Sequence, residues 1–241
     1  MYVEKPETAK KFMTTLKRRT QLLSKTDVVI VPPFTLLPSL SASIGKNKNI
    51  RLGAQTISPF SEEKHTGDIS APMLKVLGVS VVIVGHSERR ALGETDDMVR
   101  AQIKAVHNAN MTVVLCVGEI ERDAQGSHFG VIEAQLTGAL KDKTGGKLIV
   151  AYEPVWAIGK TAGEAMKPAE LQEMVIFIRK TLADSMSREP ALKVPVLYGG
   201  SVEDTNAPGL LKDGGISGFL VGHASVDVDS FLSIIQSIQY T

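Results

Sequence analysis

The sequence predicts an α/β fold: one barrel of parallel strands and surrounding helices, with the first strand missing. Seven short β-branched runs are legible, and nearly every one precedes a segment with the period of an amphipathic helix. Strands that alternate with helices are typical of parallel βαβ units. The runs are Asp27–Val31, Asn49–Ala54, Val79–Val84, Met111–Val117, Lys147–Tyr152, Val194–Tyr198 and Ile216–Val221.

The first helical segment has no strand ahead of it. It runs from Pro6 to about Leu23, and its apolar face comprises Ala9, Phe12, Met13, Leu16 and Leu23. Eight helices with seven strands indicate a (βα)8 barrel that lacks its first strand. An open, doubly wound sheet is the alternative. It is less favoured because residues with catalytic chemistry follow at least four well-separated strands, which suits a ring.

Composition indicates one cytoplasmic domain, residues 1–241, with no nucleic-acid or membrane partner. The 27 Lys+Arg and 26 Asp+Glu residues give a net charge of +1, too small to recruit nucleic acid or an acidic membrane. The single cysteine, Cys116, excludes an internal disulfide framework and fits a reducing compartment. No apolar run reaches the ~18–20 residues of a membrane span. The amino terminus is charged from its fourth residue, unlike a signal peptide.

Two apolar strands end at ionisable residues. Val79–Val84 is followed by His86, and Lys147–Tyr152 is followed by Glu153. The carboxyl ends of parallel strands are where ligands bind and chemistry occurs. With the glycine-rich turn at 198–202, they predict a site with complementary acid and base groups. A histidine that follows an apolar strand is usually a core residue, and a glutamate in that position is usually a helix cap or an ion-pair partner. The residues that flank His86 and Glu153 favour a catalytic role instead.

Five motifs together identify a family. They are GHSERR at 85–90, CVGE at 116–119, AYEPVWAIGKT at 151–161, YGGSV at 198–202 and LVGHAS at 220–225. In order and spacing they resemble triosephosphate isomerase, and the resemblance runs over the whole chain. It implies a TIM barrel that interconverts dihydroxyacetone phosphate and glyceraldehyde 3-phosphate through an enediolate, in glycolysis and gluconeogenesis. It also implies that no metal or organic cofactor is needed.

The resemblance assigns roles to individual residues. Glu153 matches the base that moves a proton between adjacent carbons, and His86 matches the neutral electrophile that donates to the carbonyl oxygen. Ser87, Glu88 and Cys116 match residues that surround this pair. Ser87 and Glu88 have a surface-loop role as the alternative, and Cys116 has core packing.

Phosphate binding in the family relies on backbone N–H groups at turns and at a short helix. Gly159, Ser201, Gly222 and His223 match these positions. For each glycine taken alone, a purely conformational role is the alternative.

Three departures from the family pattern lead us to expect strongly impaired activity. The Asn-x-Lys that ends the family's first strand has no counterpart ahead of Met1–Tyr2. The lid, Ala157–Ala162, is two residues shorter than the family's A-I-G-T-G-K-T-A. The paired glycines of the last phosphate loop are replaced by Gly222 and His223, and the histidine Cβ restricts the backbone there. A catalytically inactive scaffold or binding protein is the alternative, as is a chain start that hides the true amino terminus.

The family's assembly also implies a partner. The loop Gln55–Ile69 matches the family's loop that enters a neighbouring subunit's active site, and it is long and polar for a bare connection. We therefore expect a homodimer in which Thr66 lies near the other subunit's catalytic face. We also expect the strands at Asp27–Val31 and Ile216–Val221 to present unpaired edges beside the gap.

Overall fold

A computed structural model describes residues 3–45, 49–60, 65–142, 145–161 and 163–240. Residues 61–64 of the predicted interface loop, Ala162 of the predicted lid and Met1–Tyr2 lie outside these ranges. Within them, no helix is both long and apolar enough to cross a membrane.

The described residues contain one parallel sheet, and its strands follow chain order from one edge to the other. Each strand falls within one of the seven predicted runs, so the predicted α/β alternation is confirmed. The strands are β1 (Val28–Ile30), β2 (Ile50–Ala54), β3 (Val79–Val84), β4 (Thr112–Val117), β5 (Leu148–Tyr152), β6 (Val196–Tyr198) and β7 (Gly218–Phe219). The last is shorter than expected, although the Leu220 N–H still donates to the Tyr198 carbonyl at 2.9 Å.

Helices connect the strands and cover the outside of the sheet. The α-helices are α1 (Pro6–Lys17), α2 (Thr20–Leu23), α3 (Leu37–Ile44), α4 (Ala71–Val76), α5 (Ser87–Ala91), α6 (Asp96–Asn108), α7 (Ser127–Ala139), α8 (Pro168–Ser185), α9 (Arg188–Lys193), α10 (Ala207–Asp213) and α11 (Val228–Ser237). Short 3-10 turns occupy Phe34–Leu36, Val155–Ala157, His223–Ser225 and Ile238–Tyr240.

The first helix differs from the prediction because it is divided. The Arg19 N–H bonds to the Leu16 carbonyl at 3.0 Å, and Arg19 adopts φ −99° and ψ 36°, outside the helical region. This tight turn ends α1 and redirects the chain into the short α2. Leu23 is thereby buried in the core, as its place in the apolar pattern predicted.

The sheet has a core on each of its faces. In β4, Val113 and Leu115 pack toward the helices, while Val114 and Cys116 face inward. The inner cluster also contains Val81, Ile83 and Ala151. Every residue of β4 is buried, as expected for a central parallel strand covered on both sides. The near-continuous apolar runs of the sequence follow from this double burial.

The sheet is curled and open, whereas the helix layer around it closes. The strands β1 and β7 form the two ends of the sheet order. Helix α1 packs against both α3 and α11, and the Phe12 and Phe231 rings lie 5.9 Å apart. The prediction of a TIM-type barrel without its first strand is therefore confirmed.

The burial of β4 leads to a stability prediction. Leu115→Ala should lower the free energy of unfolding by about 2–5 kcal/mol, because the fully buried side chain leaves a cavity. Urea denaturation followed by circular dichroism measures this change. The matched variant Leu192→Ala, at a side chain 56% exposed, should change it by less than about 0.5 kcal/mol. Equal losses in the two variants would contradict this account of the core.

Candidate active site

The turn after β3 sets the position of His86. Gly85 has φ +68°, and a Cβ there would lie 3.3 Å from the Cys116 carbonyl oxygen, so glycine suits this turn. His86 then caps α5: its Nδ1 accepts a hydrogen bond from the Glu88 N–H at 3.2 Å. The ring is therefore fixed by the helix that it begins.

Glu153 is held at the end of β5 in a buried position. Its N–H donates to the Val117 carbonyl of β4 at 2.8 Å, and its side chain is 3% exposed. A Cβ at Gly118 would come within 1.8 Å of the Glu153 carbonyl oxygen. The glycine therefore permits the close approach that brings this carboxylate inside the barrel.

The two predicted catalytic side chains meet. His86 Nε2 lies 3.2 Å from one carboxylate oxygen of Glu153, and the Ser87 N–H donates to the other oxygen at 3.2 Å. Because Nδ1 of His86 accepts an N–H bond, its ring proton is assigned to Nε2. A neutral imidazole thus directs an N–H donor at the carboxylate, and a substrate placed between them can take over that donor.

Burial makes Glu153 a stronger base. Removal from water raises the pKa of Glu153 above its ordinary value, and contacts with His86, Ser87 and Cys116 oppose that rise. A carboxylate with a raised pKa accepts a proton from carbon more readily than an exposed one. The protein offers it donors on both oxygens, so its ionised form is still accommodated.

Cys116 lies beside the catalytic pair. It is fully buried on the inner face of β4, close enough to the Glu153 carboxylate for each group to shift the pKa of the other. Burial raises the pKa of the Cys116 thiol well above its usual range. The side chain is therefore an uncharged packing group, not a thiolate nucleophile. Glu88, in contrast, is an exposed side chain whose backbone N–H makes the contact with His86.

A second buried carboxylate anchors the start of the lid. Glu119 accepts hydrogen bonds from Tyr152 Oη, Trp156 Nε1 and Arg122 Nε, each at 2.8 Å. The Arg122 guanidinium also lies 5.4 Å above the Trp156 ring. Sequence reasoning assigned Glu119 no role, although its position at the end of β4 was a usable signal.

The phosphate-type turn is tied to the same segment. Both the N–H and the hydroxyl of Ser201 donate to the Ala157 carbonyl, at 3.3 and 3.0 Å. Gly159, further along the lid, has φ +72°, and a Cβ added there would meet nothing within 4 Å. Ser201 therefore links the loop after β6 to the start of the lid.

Gly222 and His223 follow the neighbouring edge strand. The pairing of Tyr198 with Phe219 brings the loops after β6 and β7 to one end of the sheet. Gly222 precedes the 3-10 turn His223–Ser225, and both Gly222 and His223 are exposed. The sequence-predicted phosphate residues thus lie at the same end of the strands as His86 and Glu153.

Comparisons with known proteins agree with this geometry. The family model described as triosephosphate isomerase matches residues 1–238. The chain belongs to the triosephosphate isomerase family. Among its curated relatives named triosephosphate isomerase, that of Endomicrobium trichonymphae is 41% identical over 93% of this chain and 90% of the relative. That of Idiomarina loihiensis is 40% identical over 97% of this chain and 93% of the relative.

A third relative, from Chlamydia muridarum, also named triosephosphate isomerase, is 42% identical over 90% of this chain and 82% of the relative. These matches confirm the resemblance drawn from the five motifs, and the chain is an isomerase of this family. Among the described residues, no group of three His, Cys, Asp or Glu side chains is placed to hold a metal ion.

The raised pKa of Glu153 leads to a pH prediction. The folded protein holds this proton more tightly than the unfolded chain, whose reference value is 4.5. Protonated Glu153 therefore contributes to the free energy of unfolding below pH 4.5, and this contribution is lost as the pH rises through the pKa of Glu153 in the folded protein. Glu153→Gln cannot ionise, so it should be more stable than the unsubstituted protein at about pH 8, with the difference shrinking toward about pH 4.5.

Urea midpoints at both pH values measure this difference. Glu173→Gln, at an exposed position on α8, makes the same change of charge and serves as the control. A Glu153→Gln variant that is no more stable than the control at the higher pH would contradict the burial argument.

Proposed function

We propose that this chain interconverts dihydroxyacetone phosphate and glyceraldehyde 3-phosphate in the cytoplasm, as a step of glycolysis and gluconeogenesis. The observation that carries this proposal is the contact between His86 Nε2 and the buried Glu153 carboxylate at 3.2 Å. A base and a neutral donor, facing each other across one small space, are what proton transfer next to a carbonyl requires.

In the proposed mechanism, Glu153 carries the proton between the two carbons, and His86 stabilises the negative charge that develops on oxygen. Glu153 removes a proton from the carbon beside the carbonyl, while the Nε2–H of His86 donates to the carbonyl oxygen as it gains negative charge. The resulting enediolate accepts the proton from Glu153 at the adjacent carbon. In the same step the hydroxyl proton on the first carbon passes by way of His86 Nε2 to the former carbonyl oxygen, so that the first carbon becomes the new carbonyl. The raised pKa of Glu153 favours both the removal and the retention of this proton between the two steps.

Substrate binding must break one of the contacts that the Glu153 carboxylate makes with its neighbours. Both oxygens of Glu153 are engaged by the Ser87 N–H and by His86. We propose that the substrate displaces the His86 contact. Backbone N–H groups of the Gly159, Ser201, Gly222 and His223 loops would receive the phosphate. The bond from Ser201 to Ala157 couples this phosphate loop to the lid.

We further propose that turnover is slow. The lid sequence Ala157–Thr161 lacks two residues found in the family pattern, so closure over the phosphate and exclusion of water should suffer. The side chain of His223 occupies space beside Gly222 where the family carries a second glycine. Loss of one well-placed anion donor costs about 10²–10³ in rate. An inactive binding or scaffold protein is the second candidate, favoured by these same two departures.

A coupled assay with glyceraldehyde 3-phosphate tests the function. We expect slow turnover, and Glu153→Ala should lower kcat/KM by a further ~10²–10⁴ because it removes the base. Glu173→Ala, on the exposed face of α8, should leave the rate unchanged. Turnover that does not depend on Glu153 would rule out the proposed mechanism. If triose phosphate binds and no turnover is measurable, the scaffold interpretation is favoured.

The same assay tests the lid argument. Insertion of Thr-Gly between Gly159 and Lys160 restores the family length and should raise kcat/KM by about 10- to 100-fold, since small misplacements at an active site have effects of that size. The control inserts the same dipeptide between Ser187 and Arg188, an exposed turn after α8 at the opposite end of the strands. No gain from the lid insertion would locate the defect elsewhere, first at His223.

We also propose that the chain forms a homodimer through the loop Gln55–Ile69. The described part of this loop is held at its base, because the Ser58 N–H donates to the Ile69 carbonyl at 3.0 Å and Ser58 Oγ donates to Asp68 at 2.6 Å. His65, Thr66, Gly67 and Asp68 are exposed. The fixed base reduces the conformational entropy that these exposed residues lose when they enter a partner.

Sedimentation measures the predicted assembly. At micromolar concentration we expect a dimer, and Thr66→Arg should shift the equilibrium to monomer because a long charged side chain replaces a small one at the contact. Thr137→Arg, on the exposed side of α7, is the matched control and should remain a dimer. An unsubstituted chain that sediments as a monomer would contradict this prediction.

A further inference from the structure

Arg90 contacts the chain on both sides of His86. Its backbone N–H donates to the His86 carbonyl at 3.0 Å, and its side-chain Nε donates to the Gly85 carbonyl at 2.8 Å. Arg90 lies on α5, the short helix that His86 begins. The peptide units before and after His86 are therefore bonded to a single residue.

The side chain of Arg90 is held in turn by α6. Its Nη1 donates to Oδ1 of Asp96 at 2.6 Å, in an ion pair whose arginine side chain is 17% exposed. Asp96 is the first residue of α6, and a Cβ at Gly138 of α7 would lie 3.0 Å from the Asp96 Cβ. A hydrogen bond between two charged groups is stronger than a neutral one. Arg90 therefore connects the turn before His86 to two of the helices outside the sheet.

The guanidinium also covers the glycine of this turn. Gly85 follows the end of β3, and its φ of +68° lies in a region that glycine enters without steric cost. A Cβ at Gly85 would lie 3.0 Å from Arg90 Nη2 and 3.3 Å from the Cys116 carbonyl oxygen. Glycine is the residue with the greatest backbone freedom, so the bond from Arg90 restricts a peptide unit that could otherwise rotate.

A rotation of the Gly85–His86 peptide unit would reach the proposed catalytic pair. Nδ1 of His86 accepts from the Glu88 N–H at 3.2 Å, and Nε2 lies 3.2 Å from the Glu153 carboxylate. Both distances are at the long end of the range for a hydrogen bond, so a small displacement of the ring breaks one or both contacts. A misplacement of about 1 Å at an active site can cost about 10²-fold in rate.

We propose that Arg90 is a positioning residue for His86 and that its ion pair with Asp96 holds it in this role. Arg90 acts through the Gly85 carbonyl. With the guanidinium in place, the imidazole keeps Nδ1 against the Glu88 N–H and directs its Nε2–H toward Glu153. The kinetic consequence rests on the proposed function, whereas the orientation of the ring is a property of the protein without substrate.

NMR of the histidine ring protons tests the orientation in the absence of substrate. Arg90→Met removes the guanidinium and keeps an unbranched side chain, and it should make the Nε2 proton of His86 exchange with water about tenfold faster or more. Arg100→Met is the matched control. Arg100 also donates to a backbone carbonyl, that of Gly138 at 3.2 Å, and pairs with Asp97 at 2.8 Å, so its loss should leave the His86 signal unchanged.

The coupled assay separates positioning from binding. At equal concentrations of folded protein, Arg90→Met should lower kcat about 10- to 100-fold and change KM by less than about threefold, because the phosphate loops are untouched. Asp96→Asn keeps Arg90 but removes the charge that anchors it, and its effect on kcat and on ring exchange should be in the same direction and smaller. Asp97→Asn, at a side chain 81% exposed, is its control and should match the unsubstituted protein.

Ring exchange in Arg90→Met or Asp96→Asn that equals that of its control overturns the proposal. So does a loss of kcat/KM that comes wholly from KM, or one that Arg100→Met shares, because either result indicates a general structural role. If Arg90→Met does not fold, Asp96→Asn and its control decide the question. If the unsubstituted protein shows no turnover, the proposed function fails, and the ring signals alone decide whether Arg90 positions His86.

Discussion

The candidate active site depends on the burial of one carboxylate, Glu153, inside the barrel. Two glycines make room for it: a Cβ at Gly118 would approach the Glu153 carbonyl oxygen to 1.8 Å, and one at Gly199 would approach its Cγ to 2.8 Å. Donors from the turn after β3 then satisfy both carboxylate oxygens. Four strands, β3 to β6, must therefore end at matched heights before this buried charge is tolerated.

A second carboxylate, Glu119, connects the barrel to the predicted lid. Glu119 binds the indole of Trp156, while Ser201 binds the carbonyl of Ala157, the next residue along. The beginning of the lid is thus held from two sides, by the end of β4 and by the loop after β6. Loss of Glu119 would leave the charge of Arg122 without its partner, a costly change at a partly buried position. These two contacts fix the predicted lid as far as Ala157.

Much of this arrangement could be predicted from the sequence because it is local in the chain. The β-branched runs are buried on both faces, and His86 and Glu153 each follow one directly, so pattern alone placed them at one edge. The tautomer of His86 and the bonds of Glu119 could not be predicted, since they depend on contacts made only in the folded chain, such as the one from Trp156. The break at Arg19 was also hidden, because the apolar pattern continues through it.

The residues of the candidate site differ in how many neighbouring strands support them. His86 and Glu153 follow β3 and β5, and Cys116 lies on β4 between them, far from either sheet end. Gly222 and His223 follow β7, which has two residues, neither of them buried, and a neighbour on one side. His86 and Glu153 therefore follow strands that are paired on both sides, whereas Gly222 and His223 follow a strand that is paired on one side among the described residues. We therefore expect the geometry of the His86–Glu153 pair to be better supported than that of the proposed phosphate loop at Gly222 and His223.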